Sequence, residues 1–162
     1  MIELEEVGPP LTEVRIASFE RDQGISLPDP YRRFLLQTNG GMPSPDKDTV
    51  DVEGLPGGAA DVQVFFRIGG AVESSELTWN RETLCERIPD DRLAIACDSS
   101  GSVFCISLQG ADRGAVSFCD LQSVAFNYEA DPDFYPVAPD FDSFLNKLRE
   151  FSDEEPTAAD NG

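Results

Sequence analysis

The sequence predicts an α+β fold, a single domain in which a twisted antiparallel sheet is flanked by helices. Three observations predict it. Two capped, helically spaced segments lie near the start of the chain. Three apolar, β-rich runs separated by glycine-containing turns lie in its middle. A capped segment with an apolar stripe closes it.

The first helix starts behind Thr12, a candidate N-cap with Leu11 as staple, and keeps Ile16, Phe19 and Glu20 on helical spacing to about Gln23, where Gly24 ends it. The second is announced by Asp29 as cap and Pro30 in the first turn, where its missing N–H costs nothing. Tyr31, Phe34, Leu35 and Thr38 follow at i, i+3, i+4 and i+7. Asn39-Gly40-Gly41 is expected to form a left-handed C-cap, with Pro43 preventing continuation.

Residues 44–61 are rich in Pro, Gly and Asp and read as a loop with a short strand near Thr49–Val52. Val62–Ile68 is a β-rich run closed by Gly69-Gly70. A third helix is expected over Ser75–Arg87, ended by Pro89. Leu93–Cys97, Ser102–Leu108 and Ala115–Cys119 then read as an antiparallel meander, its first turn being Asp98-Ser99-Ser100-Gly101. Residues 127–139 carry acids and three prolines and read as a loop. Asp140 caps a last helix striped by Phe141, Phe144, Leu145, Leu148 and Phe151, with Lys147 and Arg149 toward its C-terminus, where the dipole favours cations. The domain is expected over residues 10–151, after a short lead at 1–9 and before an acidic, disordered tail at 152–162.

Composition excludes whole classes of function. The 162 residues hold 12 Lys+Arg against 31 Asp+Glu, a net charge of −19, and no histidine. Without His there is no Ser-His-Asp triad, Cys-His dyad or His-ligated metal. A surface this acidic repels nucleic-acid phosphates and anionic leaflets. The acidic start MIELEEVGPP lacks the basic, apolar pattern of a secretory signal, so the expected location is cytoplasmic. Cys85, Cys97, Cys105 and Cys119 contain no Cys-x-x-Cys pair and read as small packed hydrophobes. No cofactor or metal is expected. Counted from Asp46 as an EF-hand loop, position 5 is Val50, position 6 Asp51 and position 12 Gly57, so the calcium pattern fails.

Several segments together resemble a known family. GISLPDPYRRFLLQTNGGMP, residues 24–43, resembles the signature of the SUKH superfamily: Leu27-Pro28, then a helix with Tyr31 and Phe34-Leu35, then Asn39-Gly40-Gly41-Met42-Pro43. RIPDDRLAIACDSSGSVFCISL, residues 87–108, is similar to its strand, Asp-x-x-Gly turn and strand, with Asp98 and Gly101 in the turn. GAVSFCD at 114–120 and FDSFLNKL at 141–148 resemble its next strand and closing helix. The resemblance spans roughly residues 10–151. It departs at Cys119-Asp120-Leu121, where the family often carries an aromatic and a His, and nothing is carried over to those positions.

The superfamily includes fungal cell-wall assembly regulators and bacterial immunity proteins. The resemblance therefore implies a SUKH-like, non-catalytic binding domain, and in bacteria an antidote that binds a toxin domain, often a nuclease. A basic toxin domain is the partner the charge expects, because complementary charge speeds encounter. The expected contact residues are Asp46, Asp48, Asp51 and Glu53 in one acidic loop, with Glu129, Asp131, Asp133 and Tyr135 in the other, where aromatics interleave with acids. The alternatives are a regulatory scaffold domain and, least favoured, a hydrolase working through paired carboxylates.

Overall fold

The computed structural model describes residues 2–152. Strand β1 (Leu4–Glu5) leads into helix α1 (Glu13–Gln23), whose Thr12 cap accepts a hydrogen bond from the Arg15 amide at 3.1 Å. Gly24 closes α1 in the left-handed conformation. Helix α2 covers Asp29–Gln37. Pro28 holds its N-cap position, so Asp29 is the first helical residue and not the cap.

The exit of α2 differs from the expected left-handed cap. Thr38 leaves the helix in an extended conformation, and the first positive φ comes only at Gly40. The glycine answers to close approach: a Cβ on Gly40 would stand 2.6 Å from the carbonyl oxygens of both Phe65 and Phe66. Strand β2 (Met42–Pro43) then pairs antiparallel with β1, placing the N-terminal lead in the fold.

A 3₁₀ turn at Pro45–Lys47 precedes the hairpin of β3 (Thr49–Asp51) and β4 (Ala59–Asp61). The apolar run at 62–68 is a strand only at β5 (Val64–Phe65). The rest continues by isolated bridges, Gly41 with Phe65 and Arg67 with Glu76. Helix α3 is confined to Leu77–Thr83 behind a 3₁₀ turn at Glu73–Ser75. Arg81 interrupts the apolar stripe because its guanidinium reaches back to the Gln23 carbonyl, 3.1 Å away.

The meander forms as expected from β6 (Arg92–Cys97), β7 (Val103–Ser107) and β8 (Val116–Asp120). It has one strand more than its sequence signals. β9 (Asp133–Ala138) pairs with β8, and the main sheet runs β5-β6-β7-β8-β9. Its prolines read as loop signals, yet an edge strand tolerates Pro136, since only one side must supply ladder donors. A register shift between Val116 and Ser117 accommodates the irregularity.

Helix α4 covers Phe141–Lys147, capped by Asp140, whose carboxylate accepts from the Ser143 amide at 2.7 Å. It stops short of Phe151 because Arg149 pairs with Thr49, each amide donating to the other's carbonyl at 2.7 and 2.9 Å. Helices α2 and α4 cover one face of the sheet through a chain of aromatic contacts. Ring centroids lie 5.1 Å apart for Tyr31 and Phe141, 4.8 Å for Phe34 and Phe141, and 5.2 Å for Phe34 and Phe65. Phe144 reaches Phe104 of β7 at 5.3 Å. The acidic tail, apart from Ser152, lies outside the described residues. No helix among the described residues is long and apolar enough to cross a membrane.

Candidate protein-binding surface

One end of the main sheet gathers the chemistry. Four strand termini meet there: the end of β6, the start of β7, the end of β8 and the start of β9. The β6–β7 turn is braced by buried Asp98, which accepts from the Ser100 hydroxyl at 2.8 Å and the Ser102 amide at 2.7 Å. This is the Asx chemistry that favours Asp at the start of a turn. Ser102 Oγ in turn accepts from the Leu121 amide at 3.0 Å, tying the turn to the exit of β8. Asp61 at the end of β4 accepts from the Ser99 amide and hydroxyl at 3.1 and 3.0 Å, which hooks the hairpin to the same turn.

Beyond β8, Asp120 Oδ1 accepts from the Gln122 and Ser123 amides at 3.1 and 3.2 Å and opens a 3₁₀ turn. The connection from there to β9 is held by one side chain. Arg87 donates to the carbonyls of Val124 and Ala130, both at 3.0 Å, and sits 5.1 Å from the Tyr128 ring centroid. The connection is thereby fastened while its large side chains face water: Phe126 is 100% exposed and Tyr128 84%.

The expected contact residues divide into groups. Glu129 and Asp131 are exposed on the Arg87-braced connection, and Asp133 opens β9 directly opposite Asp120. Tyr135 is half-buried on β9, and the β3–β4 hairpin leans on it, since a Cβ on Gly54 would lie 3.6 Å from Tyr135 Cδ1. Glu53, exposed at that hairpin tip, therefore neighbours the second acidic segment. Asp51 is engaged by Arg149 at 2.6 Å, and that hydrogen-bonded guanidinium holds its carboxyl below the usual range. Asp48 is half-buried and accepts from the Thr49 hydroxyl at 3.0 Å. Asp46, bonded to the Ser44 hydroxyl, belongs to a different groove, shared with Pro30, Arg33 and Asp142 of the helical layer. The first acidic loop is thus spread over two places. Asp61 and Asp120 join the surface only through the tertiary fold, whereas Phe126 and Tyr128 adjoin the second acidic segment in sequence.

Among the described residues, most carboxylates on this surface are not in ion pairs; the ion pairs present engage Glu13, Glu20, Asp51 and Asp142. Many other cations bind backbone carbonyls: Arg67 that of Glu6, Arg81 that of Gln23, Arg113 those of Leu108 and Ser26, and Lys147 that of Val137. A cation keeps its charge when it donates to a neutral carbonyl, so the long-range field of the chain is that of its net −19.

Of the four cysteines expected to be packed, Cys85 is exposed and Cys97 half-buried. Cys105 and Cys119 are buried, and burial pushes both thiols up, that of Cys119 to about 12, which suppresses the thiolate. Among the described residues no group of three or more Cys, Asp and Glu could hold a metal ion.

Neither a search of curated proteins nor one of solved structures finds a match. A comparison with family models does. The SMI1 / KNR4 family (SUKH-1) matches over residues 10–147, from the lead into α1 through to the last residue of α4. SUKH proteins are generally non-catalytic domains that work by contacting other proteins. With most of its length matched, and the helix, hairpin and closing-helix motifs standing in order on the structure, the chain belongs to the SMI1 / KNR4 (SUKH-1) family.

Proposed function

We propose that this protein is an immunity protein: a cytoplasmic, non-catalytic antidote that binds a basic toxin domain and occludes its active cleft. The observation that carries the reading is the pairing of fully exposed Phe126 and largely exposed Tyr128 with Glu129, Asp131 and Asp133 on one braced connection. Exposing two large aromatics in fixed positions is unfavourable for a free domain and favourable for a docking one. The surrounding acids supply steering toward a cationic partner such as a nuclease cleft. Glu53 and Tyr135 extend the same surface, Asp48 and Asp51 flank it, and Asp46 stands apart in the groove of the helical layer.

The test is capture of partners from the native host at low and high salt, with inhibition assayed on whatever is captured. One dominant basic partner, inhibited on binding and bound more slowly as salt rises, supports the reading. Phe126→Ala/Tyr128→Ala should then raise Kd by roughly a hundredfold, the loss of two anchor side chains at about 1–2 kcal/mol each. Many partners with no inhibited activity would favour the regulatory scaffold.

A further inference from the structure

We infer that the groove between the β3–β4 hairpin and the β6–β7 turn receives an arginine side chain of the protein partner. This rests on the protein-binding reading above and names the chemical group at its centre. The groove is open to solvent, with a volume of about 360 Å³. Its apolar lining comes from Leu55, Pro56, Phe118 and Phe151. Phe151 is 63% exposed, because the Arg149–Thr49 pairing carries it off the helix and sets it on the groove wall. Apolar walls suit the methylene stem and flat face of an arginine, and an aromatic wall adds cation–π attraction.

The polar lining includes three carboxylates, Asp61, Asp98 and Asp120. Each is fixed by neutral donors from its own neighbourhood: Ser99, the Ser100–Ser102 turn, and the Gln122 and Ser123 amides. None of the three is in an ion pair among the described residues. Asp120 also stands directly across the β8–β9 ladder from Asp133, a like-charge pairing that costs stability in the free protein and that an incoming cation relieves. The groove therefore presents oxygen acceptors between apolar walls. A guanidinium matches it on every count: a planar fork for oxygen acceptors, weak hydration and a stem that packs on apolar walls.

The experiment is a titration of the ¹⁵N-labelled full chain with acetyl-Gly-Arg-Gly-amide, followed by amide chemical shifts. The same peptide with citrulline, isosteric and uncharged, is the control. The expected result is shifts concentrated on Asp61, Ser99–Ser102 and Gln122, absent with citrulline and lost in Asp61→Asn/Asp120→Asn. Asn keeps an acceptor for the Ser99, Gln122 and Ser123 donors, so that variant is expected to fold, and its unperturbed spectrum elsewhere verifies this. No shifts, equal shifts with citrulline, or shifts scattered over the acidic surface would overturn the inference. A captured toxin that binds Asp61→Asn/Asp120→Asn as tightly as wild type would also overturn it while leaving the immunity reading in place. Arginine-specific shifts in a chain that captures no protein would uphold the groove and remove that reading.

Discussion

The side chain of Asn39 serves Ile68 as a neighbouring strand would. Its Oδ1 accepts from the Ile68 amide at 2.9 Å, and its Nδ2 donates to the Ile68 carbonyl at 2.8 Å. The same Nδ2 also reaches the Pro9 carbonyl at 2.8 Å, so one buried carboxamide joins the N-terminal lead, the exit of α2 and the run after β5. Asn39→Ala strands those backbone groups without partners. It should cost about 3 kcal/mol, since each buried unsatisfied group carries a penalty of about 1–3 kcal/mol. Asn39→Asp keeps the shape but sets a carboxylate against two carbonyls, so it should be at least as damaging at pH 7 and recover in acid, where a protonated oxygen can donate. Urea unfolding at pH 7 and pH 4 reads both, and a loss below 0.5 kcal/mol for the alanine variant would contradict this account.

Phe141 bridges the helical layer, touching Tyr31, Phe34, Phe65 and Phe144. Phe141→Ala opens a cavity among rings that cannot all move in, and should destabilise by about 3–5 kcal/mol. Phe141→Leu refills part of it and should cost less than half as much. Thermal unfolding of the two variants distinguishes packing from a general intolerance of change at this position.

The Asp51–Arg149 pair joins β3 to the segment after α4, and the lowered Asp51 carboxyl gives it a pH signature. A folded-state pKa below the unfolded value means the stabilisation is complete above the ordinary aspartate range, near pH 4, and is lost as pH falls through the lowered folded value. Asp51 is exposed and Arg149 partly so, which limits the contribution to about 0.5 kcal/mol. Asp51→Asn should therefore lose a little stability at pH 7 and less at pH 2. An equal loss at both would assign the effect to something other than the ion pair.

Thiol labelling should proceed in ranked order. Cys85 is exposed, Cys97 half-buried with its thiol pushed up by burial, and Cys105 and Cys119 buried with theirs pushed up further. At pH 8 a disulfide reagent should modify Cys85 first and Cys97 slowly. Cys105 and Cys119 should react only on unfolding, because the thiolate is the reacting species. Cys85→Ser should abolish the fast phase. A fast phase that survives it would mean that Cys97 is more accessible than its half-buried position implies or that the sheet opens locally around β7 or β8.

Local chemistry made part of this fold legible and tertiary context hid the rest. Thr12, Gly24 and Asp140 act at helix ends as their residue types demand, and Asp98 and Gly101 turn the chain between β6 and β7. β9 was obscured because Pro132, Pro136 and Pro139 are loop signals unless the strand lies at an edge, and edge position is a property of the whole sheet. Phe151 continues a helical stripe, but the mutual hydrogen bonds of Arg149 and Thr49 outweigh helical continuation over a distance of a hundred residues. At the candidate surface, acid-aromatic interleaving pointed to residues 126–135. The convergence of Asp61, Asp98 and Asp120 required three separate turns to be brought to one end of the sheet.

Arg87 offers a test of that surface that needs no partner. Its guanidinium spans the carbonyls of Val124, Asn127 and Ala130, at 3.0, 3.4 and 3.0 Å, and packs by the Tyr128 ring. A guanidinium presents several donors in fixed directions, whereas an ammonium concentrates its charge at one point, so lysine cannot serve all three carbonyls. Charge-assisted hydrogen bonds contribute about 1.5–3 kcal/mol each when intact, so their removal in Arg87→Ala should release the connection locally without unfolding the sheet. Phe126 and Tyr128 are exposed aromatic cleavage sites for chymotrypsin, and a protease acts on the opened form. Native-state cleavage between residues 124 and 130 should accelerate roughly tenfold or more in Arg87→Ala, and less in Arg87→Lys, at unchanged urea midpoint. If Arg87→Ala is cut no faster than wild type, the connection is held by something other than Arg87. The aromatics would then owe their fixed presentation to the strands on either side, and the loss of partner affinity expected on freeing them would not follow.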